Sequence, residues 1–372
     1  MSRTRLLAVA RKEVIQLRRD TRSLVLAFLL PVLLVVLFGY AISWDVEDIG
    51  MAVLDEDGSA RSRALLAAFE SSGYFTLERR LERHSEIDAL LDRGSVMLVL
   101  VVPPDFAADL DAGRPAELQA LLDGSDANTA TIALGYARAI VQEYSRDVRL
   151  RGRTTTLPVG TETRVWYNEE LVSRNMIVPG LVAVIMMIIA AMLTSLTIAR
   201  EWERGTMEQL ASTPVTRTEV VLGKLLPYVA IGLVDVVLVS VVGVVLFGVP
   251  FRGSPALLMA LSLAFIVGAA GLGMFISAVA RSQLLATQLA MVLTFLPAFL
   301  LSGFMYAIEV MPPALRAITY LIPARYFLVV TRGIFLKGVG ADVLRVQGLL
   351  MIGFAVVGLL AATLVFRKRI EP

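Results

Sequence analysis

Stretches of unbroken apolar residues alternate along the chain with segments where charge returns. Six of these stretches reach the roughly 20 residues that a helix needs to cross a bilayer. They are residues 24–42, 177–199, 225–247, 256–280, 284–304 and 346–366, each bounded by charged residues. The segment between the first two has a shorter rhythm. Residues 49–54 read as a strand closed by the turn Asp55-Glu56-Asp57-Gly58. Residues 74–77, 96–102 and 116–122 read as further strands, and 60–71, 85–91, 105–110 and 128–150 as helices. Alternating strands and helices predict a small sheet with helices packed on it. Residues 154–163 read as a polar linker. The pattern predicts an α-helical polytopic membrane protein with six transmembrane helices and an α/β domain inserted between spans 1 and 2.

Composition supports this division. Hydrophobic residues make up 56% of the 372 and charged residues 18%. Soluble domains run near half and a quarter, so a water-soluble fold throughout is excluded. The net charge of +2 conceals a split: residues 45–172 hold 13 basic and 23 acidic residues, and the remainder hold 22 basic and 10 acidic. The basic residues flank apolar runs rather than forming one patch, so nucleic-acid binding is not indicated. The chain has no cysteine, which excludes disulfides and thiolate chemistry. With His84 as its single histidine, it has no basis for a histidine metal site or a Ser-His-Asp triad.

Basic residues near span ends set orientation. The start carries Arg3, Arg5, Arg11, Lys12, Arg18, Arg19 and Arg22 against Glu13 and Asp20, which predicts a cytoplasmic N-terminus. Alternation then places 43–176, 248–255 and 305–345 outside and 200–224 and 281–283 inside. The tail Arg367-Lys368-Arg369 falls inside, so both termini are cytoplasmic. Against the rule, 305–345 carries Arg316, Arg325, Arg332, Lys337 and Arg345 on the outer side. The first apolar run exceeds the 7–15 residues of a signal peptide, which argues against its cleavage.

Several constellations invite a chemical reading. In residues 1–23, Leu6, Leu7, Ala10, Val14 and Leu17 share one helical face, which predicts an amphipathic helix lying along headgroups. It serves either as an anchor or as an elbow touching a cytoplasmic partner. The loop 200–224 carries two capping boxes. Thr206 with Gln209 predicts one helix start after Gly205, and Thr216 with Glu219 another after Pro214. Met207, Leu210 and Ala211 share a face, so the short helix is built either to dock into something or merely to close a hairpin.

Asp235 stands mid-span, where a carboxylate costs roughly 2.5–3.5 kcal/mol on insertion scales. It is either a substrate-path residue or a protonated, hydrogen-bonded packing residue. The run Gly268-Ala269-Ala270-Gly271-Leu272-Gly273 predicts close helix approach, with a dimer seam as one setting. Residues 305–345 are broken by Pro312, Pro313 and Pro323. Arg325 and Arg332 there have headgroups or Glu309 as candidate partners.

The residues Glu203-Arg204-Gly205-Thr206-Met207-Glu208-Gln209-Leu210, with Thr213-Pro214-Val215 and Gly223-Lys224, resemble the cytoplasmic loop of ABC-2 type transporter permeases. Arg11-Lys12-Glu13, Gln16 and Arg19-Asp20 resemble that family's N-terminal helix. Leu301-Ser302-Gly303-Phe304, Glu309, Met311-Pro312 and Tyr320 to Tyr326 resemble its segment before the last span. The likeness covers most of the chain, and the subgroup it suggests is the bacterial permeases with a large periplasmic domain.

The resemblance implies the transmembrane subunit of an inner-membrane ABC exporter of hydrophobic or amphiphilic substrates, drug-like, or lipid or polysaccharide. Glu201, Glu203, Arg204, Gly205, Thr206, Glu208, Gln209 and Pro214 would then form the coupling contact with a separate ATPase subunit. Asp235, Gly271 and Gly273 would belong to the substrate path or to helix packing. Glu309, Pro312, Pro323, Arg325 and Tyr326 would belong to a re-entrant outer exit.

It further implies a second permease copy or close homologue, contact with membrane lipid, and room for a periplasmic adaptor. No G-x-x-x-x-G-K-[ST] motif occurs in the chain, so this chain is expected to be no enzyme and to bind no cofactor. ATP and Mg2+ would sit on the partner. The alternative is a membrane sensor or scaffold that uses the acidic domain as a ligand module. An intramembrane enzyme ranks last, because Asp235 has no comparably central acid beside it.

Overall fold

In hydrocarbon every backbone polar group must be satisfied within its own segment, so each long apolar run closes on itself as a helix. The computed structural model describes residues 2–41, 48–125, 127–150, 167–168 and 172–366. The expected linker at 154–163 and the basic tail after Phe366 lie outside them. Among the described residues, six helices are long and apolar enough to cross a membrane. These are span 1 (Thr21–Ala41), span 2 (Ser173–Glu203), span 3 (Arg217–Phe247), span 4 (Pro255–Ala280), span 5 (Gln283–Leu300) and span 6 (Arg345–Val365). An arm helix, Arg3–Arg19, precedes them. The protein is a polytopic membrane protein.

The chain divides into two units, Met1–Ser43 with Arg164–Pro372, and Trp44–Thr163. The first unit is built around span 2. Its most apolar window is 89% buried, against 24%, 22% and 22% for spans 1, 5 and 6. Those flanking spans leave Leu29, Leu33, Leu37, Leu349 and Leu360 on the surface, where hydrocarbon is the natural solvent.

Span 5 is irregular. A π turn at Met291–Phe295 precedes Pro297, whose missing amide hydrogen leaves the carbonyl four residues back without its usual donor. After a left-handed Gly303, a short helix Pro313–Thr319 meets the segment Pro323–Lys337 at a bend of 75°.

The second unit is α/β. Strands β1 (Ile49–Asp55), β2 (Phe75–Leu81), β3 (Leu98–Val102) and β4 (Gln119–Leu122) order as β2-β1-β3-β4. The first three are parallel and β4 is antiparallel. Period-two alternation sends Met51, Val53, Leu98 and Leu100 to one face, packed with Leu65 and Phe69. Ala52, Leu54, Val99 and Val101 go to the other, with Ile87 and Leu90. The first strand-to-helix turn works as read. Asp55 accepts from the Gly58 amide at 3.0 Å, and Ser59 caps the helix Ala60–Ser71 by accepting from Arg61 and Ser62. The second strand runs four residues further than its apolar pattern suggested, because Glu78, Arg79 and Arg80 extend it along the sheet edge.

Candidate functional site

At one end of the first unit, the arm, the ends of spans 2 and 3 and the loop between them converge. The approach depends on a glycine. A Cβ on Gly223 would lie 2.8 Å from the Val9 Cβ and 3.0 Å from the Leu6 carbonyl oxygen, so only hydrogen fits there. The next residue, Lys224, extends into the gap thus closed. Its Nζ donates to Glu13 Oε2 at 2.8 Å and to Glu201 Oε1 at 3.0 Å. Tyr228 Oη donates to the other oxygen of Glu13 at 3.0 Å, and Lys12 Nζ reaches Glu201 at 2.9 Å. Thr206 Oγ1 donates to Glu201 Oε2. Glu13, Glu201 and Lys224 are all buried. Every oxygen of the two carboxylates has a donor, and the low local dielectric makes each of these contacts costly to break singly.

The arm is held at further points. Ser2 donates its backbone amide to Glu219, and Arg5 donates to the Pro214 carbonyl at 2.7 Å. Asp20 pairs with Arg200 at 3.1 Å. Partial burial pushes the Asp20 carboxyl upward, but hydrogen bonds from Ser23 and the Arg200 charge outweigh it and hold it below the ordinary carboxylate range.

Two site expectations change here. Glu201 does not belong to an exposed docking surface, because its carboxylate is buried and spent on Lys12, Lys224 and Thr206. Thr206 does not cap the short helix Met207–Ser212. Its backbone is helical and its hydroxyl is drawn back to Glu201. The second capping box does form: Thr216 accepts from the Glu219 amide at 3.4 Å, and Glu219 accepts from the Thr216 amide at 2.9 Å.

The apolar face of the short helix is turned inward. Met207 and Leu210 pack with Ile198, Val220, Leu225, Met274 and Phe366. What the loop presents to its surroundings is polar: Glu203, Arg204, Gly205, Glu208, Gln209, Ser212 and Pro214 are exposed. Glu203 has a second duty, accepting from the Gln283 amide at 2.7 Å and from the Gln283 side chain. Arg281 beside it lies over the Trp202 ring at 5.0 Å.

The arm also buries a different stripe from the one counted. Val9, Ala10, Glu13 and Leu17 face the bundle, while Leu7, Val14 and Ile15 are exposed. Glu13 escaped the count because it is polar. A carboxylate at the 9/10, 13, 17 spacing, opposite a lysine that opens a span, was the available signal.

Asp235 is fully enclosed, and neither carboxylate oxygen has a hydrogen-bond partner among the described residues. The hydrogen bond expected of a packing residue there is not made. The small-residue run in span 4 packs within the chain rather than presenting a seam. A Cβ on Gly271 would lie 2.7 Å from the Gly358 carbonyl carbon of span 6, and one on Gly273 would collide with Ala191 and Thr194 of span 2.

At the opposite end, Glu309 lies in the turn Ile308–Val310, and Arg316 donates to its backbone carbonyl. Pro312 precedes the helix Pro313–Thr319, and Pro323 opens the next. Arg325 bonds Thr319 and lies over the Tyr320 ring at 4.0 Å, while Tyr326 Oη donates to the Tyr320 carbonyl at 2.7 Å. Arg332 donates to the Met176 carbonyl at 3.3 Å. Neither arginine pairs with Glu309, because nearer oxygen acceptors and an aromatic face take their guanidinium groups. Among the described residues no group of three or more His, Asp or Glu side chains is placed to hold a metal ion.

Comparisons with known proteins bear on this geometry. The family model described as ABC-2 family transporter protein matches residues 22–363. The chain is 37% identical over 373 residues to the probable multidrug ABC transporter permease YbhS of Escherichia coli, covering 100% of this chain and 99% of that one. It is 33% identical to the probable multidrug ABC transporter permease YbhR of the same organism, over 91% of this chain and 92% of the relative. The linearmycin resistance permease protein LnrN of Bacillus subtilis is 22% identical over 93% of this chain and 95% of its own length.

Proposed function

The chain belongs to the ABC-2 family of transporter proteins, and from that premise we propose that it is the transmembrane subunit of an ATP-driven exporter. It moves a hydrophobic or amphiphilic, drug-like substrate outward across the inner membrane. Two copies, or one copy and a close homologue, pair with two ATPase subunits. Those subunits carry the ATP and Mg2+. The arm and the loop 200–224 face the cytoplasm, and the α/β unit stands outside, where an adaptor has access to it.

The observation that supports this reading best is the build of the loop. Its apolar residues Met207 and Leu210 are locked into the bundle, and Glu201 is fixed in a buried charge cluster. A polar rim of Arg204, Glu208 and Gln209, with Pro214 beside it, is left exposed. A loop anchored on its inner side can transmit a push applied to its outer side without folding away. Electrostatic surface contacts suit a partner that must dock, shift and stay specific.

The test is reconstitution of the full chain with an ABC ATPase subunit in proteoliposomes. The expected result is ATP hydrolysis that depends on this chain and rises with an amphiphilic drug. The double variant Arg204→Glu with Glu208→Lys should abolish the dependence. Unchanged coupling in that variant would overturn the loop assignment. Function that survives deletion of spans 4–6 would favour the sensor reading instead.

A further inference from the structure

Between the ends of spans 2, 4 and 6, on the loop side, lies a cleft of about 330 Å³. Ile198, Trp202, Ala278, Val279, Val365 and Phe366 line it, with Arg281 at its edge. Its walls are fixed. Ser277 Oγ accepts from the amides of Ile198 and Ala199 at 3.0 and 2.9 Å, which pins span 4 to span 2. Arg281 ends span 4 in a left-handed conformation, φ 54°, and this turns its side chain back over Trp202.

The chemistry of the cleft is mixed in one particular way. Its walls combine the apolar side chains of Ile198, Val279, Val365 and Phe366 with one exposed guanidinium, that of Arg281, which makes no ion pair with a described residue. The acid on the neighbouring stretch, Glu203, is held by two donors of Gln283. A guanidinium seated on an indole face keeps its edge N–H groups free for a bidentate oxyanion. The position matters equally. All three lining helices end here, so the cleft opens where hydrocarbon gives way to headgroups.

We propose that this cleft seats an anionic phospholipid. The phosphate sits on Arg281, and the glycerol and first acyl carbons lie against Trp202, Ala278 and Phe366. The shared chemistry, a phosphate oxyanion, also exists free in solution, and the position of the cleft at the ends of three membrane spans favours the lipid. The proposal holds whatever substrate the chain carries.

The test uses the full-length chain in nanodiscs, with Trp44→Phe and Trp166→Phe so that Trp202 is the only indole. Brominated phosphatidylglycerol and brominated phosphatidylcholine are compared as quenchers at equal mole fraction. The expected result is about fivefold tighter association of the anionic lipid, the scale of one basic residue at an anionic surface. Arg281→Gln should erase that preference and Arg281→Lys should keep part of it. Ala278→Phe, which fills the cleft and keeps the charge, should reduce quenching by both lipids.

Equal quenching by the two lipids in the parent, or a preference that survives Arg281→Gln, would overturn the proposal. So would loss of the preference on adding inorganic phosphate at constant ionic strength, because the site would then recognise free phosphate. A preference that persists in phosphate supports the lipid.

Discussion

Lys224 and Glu13, 211 positions apart in the chain, meet at 2.8 Å with both side chains only 2% exposed. This pair joins the arm to span 3, and Glu201 brings in span 2 at 3.0 Å. Breaking a buried pair by removing one partner costs about 3–5 kcal/mol, because the other charge is left uncompensated. Lys224→Met leaves Glu13 without a cation and Glu201 with Lys12 alone, whereas Glu13→Gln leaves Lys224 its contact with Glu201. The lysine variant should therefore unfold at a markedly lower temperature in detergent than the glutamine variant. Equal shifts would mean that Glu201 contributes nothing to holding Lys224.

Gly223 sets the distance between the arm and span 3. Gly223→Val forces apart backbones that now admit only hydrogen, since the nearest obstacles are the Leu6 carbonyl oxygen at 3.0 Å and the Val9 Cβ at 2.8 Å. Overpacking of this kind costs about 1–3 kcal/mol. The chain has no cysteine, so a single Ala10→Cys reports on the buried side of the arm. Its maleimide labelling should be slow in the parent and at least several-fold faster with Gly223→Val.

The loop should separate stability from coupling. Arg204 and Glu208 are exposed and Met207 is buried. Arg204→Glu and Glu208→Lys should change stability by no more than about 0.5 kcal/mol while abolishing stimulation of the ATPase. Met207→Asp places a charge in the core and should lower the unfolding temperature first. Parallel loss of stability and coupling in the two surface variants would contradict this.

Asp235 makes no hydrogen bond with a described residue that substitution could remove. Asp235→Leu should therefore unfold no earlier than the parent, because it deletes an unpartnered buried polar group, and Asp235→Asn, which keeps the shape and removes the ionisable group, should match the parent. Drug-stimulated ATPase activity of the same proteins then separates the two roles. Activity lost at full stability assigns Asp235 to the substrate path, and activity kept assigns it to packing.

Much of this architecture was legible in the residues for a simple reason. A run of apolar residues long enough to span a bilayer has few other ways to satisfy its backbone, so the six helices could be read directly. The capping box at Thr216 and Glu219 was legible because both partners are local. The one at Thr206 failed because a distant competitor, the Glu201 carboxylate, claims the hydroxyl. Glu13 and Lys224 were individually visible as charges but not as a pair. Periodicity scores each residue by its own polarity, and their burial is tolerable only because they meet. The same blindness hid the inward turn of Met207 and Leu210, since a pattern shows that a face is apolar but not which neighbour covers it.

Glu203 and Gln283 have a mechanical meaning. Glu203 ends span 2, and Gln283 begins span 5 three residues after span 4 ends. With the Lys224 cluster on its other flank, the loop is tied to spans 2, 3 and 5, and the short 281–283 connector carries span 4 with it. It is harnessed like a yoke across four helices rather than hinged to one. A push applied at Glu208 would then be shared among them as a common tilt. Severing the Glu203–Gln283 tie with Glu203→Ala would leave spans 2 and 3 responding while span 5 lags behind.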